Sequence, residues 1–452
     1  MTARATLTLL LTLAATAPAS AQDRGLTAFT DVTVIPMDRE RALPRHTVVV
    51  EGDRIVAVGP SGSVRVPPGA RRVDGRGKFL LPGLAEMHGH IPPGDQVPDA
   101  QIEKVLAYFA LNGVTTVRGM LGHPRHLGFR ERAARGELLS PTIYTSGPSL
   151  NGNSVPTVAA AQQAVASQKA AGYDLLKIHP GLQPEVFDSL AAAARRHGLR
   201  FAGHVPVQVG IRRALARGIA TVDHVDGYLE GLAWDGEGAA PESQMFGFNL
   251  VDRLDWARLP ALVEATKRAG AAIVPTQSLF ETLMGGEDPA ALATRPEMRR
   301  WPAATVTQWT QMTANTREGL GVDPASGAAF NAARRRVMRA LYEAGVPFLL
   351  GSDAPQWWNV PGFSLQRELD AMVAAGFTPW QALAMGSRNV ATHFGAEAEF
   401  GTVAAGRRAD LVLLDADPTT DVANWSRKAG VMLRGRWFDR TEIDRRLEEL
   451  SR

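Results

Sequence analysis

The chain has 452 residues, 45% of them hydrophobic, enough for one barrel-sized domain and a smaller one around a large core. It contains no cysteine, which excludes disulfides, thiolate metal ligands, a cysteine nucleophile and lipid attachment through an N-terminal cysteine. The formal charge is only +3 and the basic residues are scattered, so nothing points to nucleic acid.

Residues 1–21 have the three parts of a secretory signal: Arg4, an apolar run from Ala5 to Ala17, and the small residues Ala19-Ser-Ala21 before Gln22. The run is shorter than the ~20 residues that span a bilayer, and Pro18 follows it. The expectation is a cleaved signal and a periplasmic or secreted protein with no stable membrane association.

Residues 28–76 alternate short strands with tight turns, such as Thr30-Asp-Val-Thr-Val-Ile35 and His46-Thr-Val-Val-Val50. The same texture returns after residue 400, in Gly401-Thr-Val403, Ala409-Asp-Leu-Val-Leu-Leu414 and Val431-Met-Leu-Arg-Gly-Arg-Trp437. Residues 22–80 and 396–445 are therefore predicted to form one composite β-sandwich, with residues 81–395 inserted between them.

The insert carries eight buried-strand candidates, at 79–87, 115–119, 142–146, 174–179, 200–205, 221–225, 272–276 and 346–351. Helical stretches at 99–111, 158–171, 184–197, 260–269 and 328–344 alternate with most of them. Eight such units predict an α/β fold, a (β/α)8 TIM-like barrel. The long connections 226–258 and 278–327 are expected to be loops or short helices over the mouth, where they would set substrate choice.

Six residues that can ligate metal stand at the ends of these strands: His88, His90, Lys177, His204, His224 and Asp353. In a barrel, the C-terminal strand ends converge on one mouth. His88 and His90 are two apart on a strand, so they share a face. Lys177 is one of only six lysines and sits in an apolar run, where a charged ammonium is costly to bury. Carboxylation by CO2 would make it an anionic carbamate able to bridge two cations, whereas a lysine snorkelling from the strand end reads the same in sequence. Imidazole at His204 and His224 suits Zn, Ni, Fe or Mn.

These motifs resemble the amidohydrolase superfamily, specifically an exported branch related to imidazolonepropionases and metal-dependent Xaa-Pro dipeptidases. The resemblance rests on Leu81-Pro-Gly-Leu84 leading into His88-Gly-His90, Gly113-Val-Thr-Thr-Val-Arg118, the Lys177 strand, Gly203-His204, Asp223-His224 and Gly351-Ser-Asp353. Gly401-Thr-Val-Ala-Ala-Gly406 and Ala409-Asp-Leu-Val-Leu-Leu-Asp415 add to it in the tail. It implies two divalent metal ions, with zinc first among the candidates. His88, His90 and Asp353 would hold one and His204 and His224 the other, with carboxylated Lys177 and a hydroxide bridging them. Asp353 would take a proton from that hydroxide-forming water and deliver it to the leaving amine. The sequence departs from the relatives at Glu86, where Asp is usual, and at Ser146-Gly-Pro-Ser-Leu-Asn-Gly-Asn153, which lacks a histidine that several dipeptidases carry.

Tyr228, His179, Trp357 and Gln277 are further candidates for contact with substrate, with Trp358 and Arg118 as neighbouring possibilities. Tyr228, four residues after His224, could donate its phenol to the oxyanion, as related enzymes do. His179 shares strand parity with Lys177 and should face the mouth. Trp357, with Trp358 beside it, could wall the pocket, and Gln277 and Arg118 end their strands. The resulting expectation is a metal-dependent hydrolase acting on carbon-nitrogen bonds other than ordinary peptide bonds, with an amide in a dipeptide or N-acyl amino acid as its small-molecule substrate. Alternatives are a hydrolase or deaminase of a cyclic amide or imine, and a non-catalytic binding protein on the same barrel, against which the intact ligand set argues. A homo-oligomer is left open.

Overall fold

The computed structural model describes residues 25–236 and 240–451, so the signal reading of residues 1–21 lies outside the described residues. The chain opens as an antiparallel meander of β1 (Leu26–Val34), β2 (Leu43–Glu51) and β3 (Arg54–Pro60). Gly52 takes a φ of 59° in the turn between β2 and β3, a conformation that favours glycine. Two short strands, β4 (Arg71–Asp74) and β5 (Phe79–Pro82), then run parallel to β1.

The predicted strand at 79–87 is two strands. Gly83 separates β5 from β6 (Leu84–Gly89): its N–H leaves for Asp410 O, and a Cβ there would lie 2.1 Å from the Thr115 side chain. β6 pairs in parallel with β7 (Val114–Gly119), and β7 with β8 (Thr142–Thr145). A second parallel arc holds β9 (Leu175–Ile178), β10 (Arg200–Gly203), β11 (Thr221–Asp223) and β12 (Ala272–Val274).

Hydrogen bonds join the two arcs into a ring. Asp174 N donates to Thr145 O at 3.0 Å and Gly147 N to Leu175 O at 3.1 Å. On the other side, residues 347–350 take the place of the eighth strand. Ile273 N donates to Pro347 O at 2.9 Å, Leu349 N to Ile273 O at 2.9 Å, and Met87 N to Leu350 O at 2.9 Å. This segment is a bridged, extended stretch instead of the regular strand expected at 346–351.

Helices Asp99–Leu111, Val158–Ala171 and Pro184–His197 form where the sequence pattern puts them. Their ends are written locally. Thr157 caps Ala160 N, Pro184 opens its helix, and Gly172 and Gly198 end theirs in the left-handed conformation. The connection at 278–327 is less loop-like than expected, because Ala303–Leu320 is an 18-residue helix. Only Trp309 and Thr313 are buried on it, so the sequence shows no apolar stripe to announce a helix. No helix among the described residues is long and apolar enough to cross a membrane.

The chain returns through β13 (Leu411–Leu414), antiparallel to β5, followed by β14 (Lys428–Leu433) and β15 (Arg436–Asp439). The run at 431–437 is a hairpin turned at Arg434 and Gly435, and 401–403 is no strand. The end strands form one sheet in the order β15-β14-β13-β5-β1-β2-β3, with β4 beside β1. β15 and β1 stand four strands apart, roughly 19 Å in a flat sheet. Yet Trp437 meets Phe29 at 5.0 Å between ring centroids. The sheet therefore folds over on itself like a sandwich, around Phe29, Val48, Leu80, Leu411 and Met432.

Candidate metal centre

All six predicted ligands lie past or at the C-terminal ends of barrel strands. His88 is in β6 with His90 just beyond, Lys177 is in β9, His204 follows β10, His224 follows β11, and Asp353 follows the eighth segment. His88, His90 and Asp353 each offer a ligand atom, all within 4.8 Å of one another. Lys177 Nζ is 3.2 Å from His88 Nε2, and the His224 ring is centred 4.4 Å from that of His88 and 4.7 Å from that of His204. The ring of residues is thus continuous.

Two glycines permit this approach. A Cβ on Gly203, whose φ is 116°, would lie 2.7 Å from Ile178 O and 2.8 Å from Lys177 Cδ. A Cβ on Gly351 would lie 2.8 Å from His88 N. Both glycines immediately precede or nearly precede a ligand, so the Gly203-His204 and Gly351-Ser-Asp353 motifs have a steric cause.

The donor set fits divalent cations. His90 Nε2 and Asp353 Oδ1 are buried without a hydrogen-bond partner although they lie 3.0 Å apart, so two lone-pair-bearing atoms are aimed at shared space. Burial, followed by the nearby Lys177 charge, lowers the pKa of His88 well below the usual value and that of His204 to about 3. His224 is also pushed well below, by burial and then by His88. Neutral imidazole is the form that binds metal. Burial lowers Lys177 to about 8, against the pull of Asp223 and Asp353. Only the free amine reacts with CO2, and a lowered pKa makes that form easier to reach, so the lysine fits the carbamate as well.

A second layer of groups fixes the ring orientations, as metal sites require. Asp223 Oδ2 pairs with His88 Nδ1 at 2.7 Å and is itself held by Arg118 Nη2 at 3.2 Å, while Thr221 Oγ1 donates to its Oδ1 at 2.6 Å. Asp226 Oδ2 pairs with His204 Nδ1 at 3.0 Å, and Thr276 Oγ1 with His224 Nδ1 at 2.8 Å. Positive φ values at His224 (65°), Thr276 (47°) and Asp353 (68°) place non-glycine residues in a strained region, of a kind that collects at functional sites.

The cavity before this centre measures about 160 Å³. His179 and Trp357 line it, as the sequence suggests, and His179 is lowered to about 2 by burial and Lys177. Two other predicted contacts are corrected. Tyr228 is fully buried with its hydroxyl 2.7 Å from Thr266 Oγ1, on the helix behind the barrel, and does not line the cavity. Gln277 is also fully buried, donating to Asn331 Oδ1 at 3.1 Å and accepting from Arg334 Nε at 3.0 Å. Trp358 turns away too, its Nε1 donating to Thr313 Oγ1 at 2.8 Å. In each case the residue after a strand end enters a helix or tight turn whose direction the sequence does not state.

Residues missed in sequence fill the vacated wall. Gln356 Nε2 donates to Asp353 Oδ2 at 3.1 Å, and Phe246 lies 5.7 Å from the His204 ring and 4.9 Å from Phe280. Gln356 stands three residues after Asp353, which was the available signal. Phe246 comes from the long connection after β11, and no motif marks it.

The sequence profile of the amidohydrolase family matches residues 79–438. Adenine deaminase 3 of Rhizobium johnstonii is 28% identical over 398 residues, covering 85% of this chain and 53% of that protein. The chain thus spans about half the length of the adenine deaminases it matches. An imidazolonepropionase of Rubrobacter xylanophilus is 26% identical over 418 residues, covering 82% of this chain and 84% of that one. A solved Xaa-Pro dipeptidase with methionine bound in its active site superposes with a TM-score of 0.66 at 18% identity, over 92% of this chain and 100% of that one; at this identity the likeness is one of fold. With a profile match across the barrel and into the returning strands, the chain belongs to the amidohydrolase family.

Proposed function

We propose that this protein is an exported metal-dependent hydrolase that cleaves a carbon-nitrogen bond, an amide, in a small molecule. The observation that carries the reading is the pair of partnerless buried atoms, His90 Nε2 and Asp353 Oδ1, beside His88 and Lys177. His88, His90 and Asp353 would hold one divalent ion and His204 and His224 a second, with carboxylated Lys177 shared; zinc suits these ligands. When bound, such ions lower the pKa of a water and polarise the scissile carbonyl.

The protein's own residues do the proton work. Asp353 is the one carboxylate lining the cavity among the described residues, and Gln356 fixes its Oδ2. Asp353 takes the proton released as water attacks and hands it to the leaving nitrogen, which departs as a neutral amine. With Tyr228 committed to Thr266, the neutral donors left on the wall for a developing oxyanion are His179 and Gln356. The similarity to adenine deaminases supports a second reading, in which the same proton transfer expels ammonia from a cyclic imine.

Elemental analysis should find about two metals per chain, as a two-metal hydrolase requires. Incubation with amides should release amine and acid in equal amounts; ammonia from a purine base would favour the second reading. Asp353→Asn should lower kcat by about 10²–10⁴-fold while the metal-free protein keeps its melting curve. An unaffected rate would remove Asp353 from the mechanism. Export is carried by residues 1–21, and cell fractionation tests it.

A further inference from the structure

The cavity at the metal centre opens beside a second hollow of about 440 Å³, and His179 lines both. The two walls differ in character but not in charge. On one side stand Met245, Phe246, Leu279, Phe280, Leu283 and Trp357, an apolar and largely aromatic surface. On the other, Ser149, Asn151 and Asn153 present neutral hydrogen-bonding groups. Ser149 Oγ is hydrogen-bonded to His179 Nδ1, which ties the polar wall to the centre.

Among the described residues, no lysine or arginine lines either hollow. Residues 237–239, in the connection that carries Phe246, are Glu-Gly-Ala and supply none. The arginines packed behind the centre are committed elsewhere. Arg118 binds Asp223 and Met87 O, and Arg334 binds the carbonyls of His224 and Pro275 and the side chain of Gln277. A carboxylate on the substrate, held away from the scissile group and the metal ligands, would be desolvated against the apolar wall with no lysine or arginine there to pair with it, which is costly.

Resting on the amide-hydrolase reading, we propose that the site is built for uncharged amides and discriminates against substrates with a free carboxylate. The substrate lays an apolar group against Phe246 and Phe280 and a neutral polar group toward Ser149 and Asn151. This excludes free dipeptides and N-acyl amino acids as preferred substrates, in contrast to the expectation from sequence, and points to capped or aryl amides.

The test compares N-benzoyl-leucine with its methylamide on the metal-loaded protein, reading only the release of benzoate, so that the amide common to both is scored and the methylamide's second amide is not. The expected result is a kcat/KM at least ~10-fold higher for the methylamide, the size of a modest pocket discrimination. An equal or higher value for the acid overturns the proposal. Leu283→Arg, which adds a cation to the apolar wall, should raise the acid's rate relative to the methylamide; no change in that ratio also overturns it. If neither compound is cleaved, the amide-hydrolase reading fails, and the melting temperature with each compound decides the charge preference separately. There, only a larger rise with the methylamide upholds the proposal, and any other order overturns it.

Discussion

Glu86 and Ser352 clasp the first and last strand positions of the barrel together. Ser352 N donates to Glu86 Oε1 at 2.8 Å and Ser352 Oγ to Oε2 at 2.5 Å, while the same Oε1 accepts from His88 N at 3.0 Å. One buried carboxylate therefore sets the spacing between His88 and Asp353, which approach to 3.7 Å. The acidic residue two positions before His88 thus has a structural reason.

Glu86→Gln replaces one acceptor oxygen with an NH2 that faces donors. Metal affinity should fall by about 10–100-fold, the usual cost of removing an outer partner of a metal ligand. Titration of the metal-free protein with zinc measures it; an unchanged affinity would mean that Glu86 serves the fold alone.

Lys177→Ala removes the only lysine at the centre, and the full chain should then hold fewer than two metals and lose most of its activity. Elemental analysis before and after bicarbonate treatment reads this directly. Full metal content and rate in the variant would show that no carbamate is needed.

Tyr228→Phe separates the structural role from the one suggested by sequence. Among the described residues its hydroxyl bonds only to Thr266 Oγ1, in a buried site, so the change should cost about 1 kcal/mol of stability and leave kcat/KM within about twofold. A large loss of kcat with normal melting would put the phenol back in the reaction.

Lys428 predicts a pH dependence outside the metal centre. It is buried in β14, its Nζ donates to Trp425 O at 2.8 Å, and burial lowers its pKa to about 7, with Arg440 acting in the same direction. In the unfolded chain a lysine titrates near 10.4, so between these values the unfolded state binds the extra proton. The penalty is full below pH 7 and fades as pH rises toward 10. The melting temperature of the wild type should therefore climb toward that of Lys428→Met between pH 7 and 10, with the variant more stable at pH 7. A constant gap across this range would show that Lys428 keeps its proton in the fold.

The sequence alone determined the period and the candidate ligands. The helix bounds at Val158–Ala171 and Pro184–His197 follow from Thr157, Pro184, Gly172 and Gly198, signals that are local and so are written in neighbouring residues. His88, His90, Lys177, His204, His224 and Asp353 were legible for a related reason: each ends an apolar run, and a closed parallel barrel carries every strand end to the same mouth. Tertiary structure decided what lies around them. Whether Tyr228, Gln277 or Trp358 faces the cavity depends on how the chain leaves each strand, and all three turn to partners 38, 54 and 45 residues away in sequence. Phe246 and Phe280 reach the imidazoles from two long connections that have no periodicity to constrain them. Candidate ligand positions are fixed by a repeating local pattern, whereas pocket walls are fixed by packing between distant segments, and only the folded chain brings those segments together.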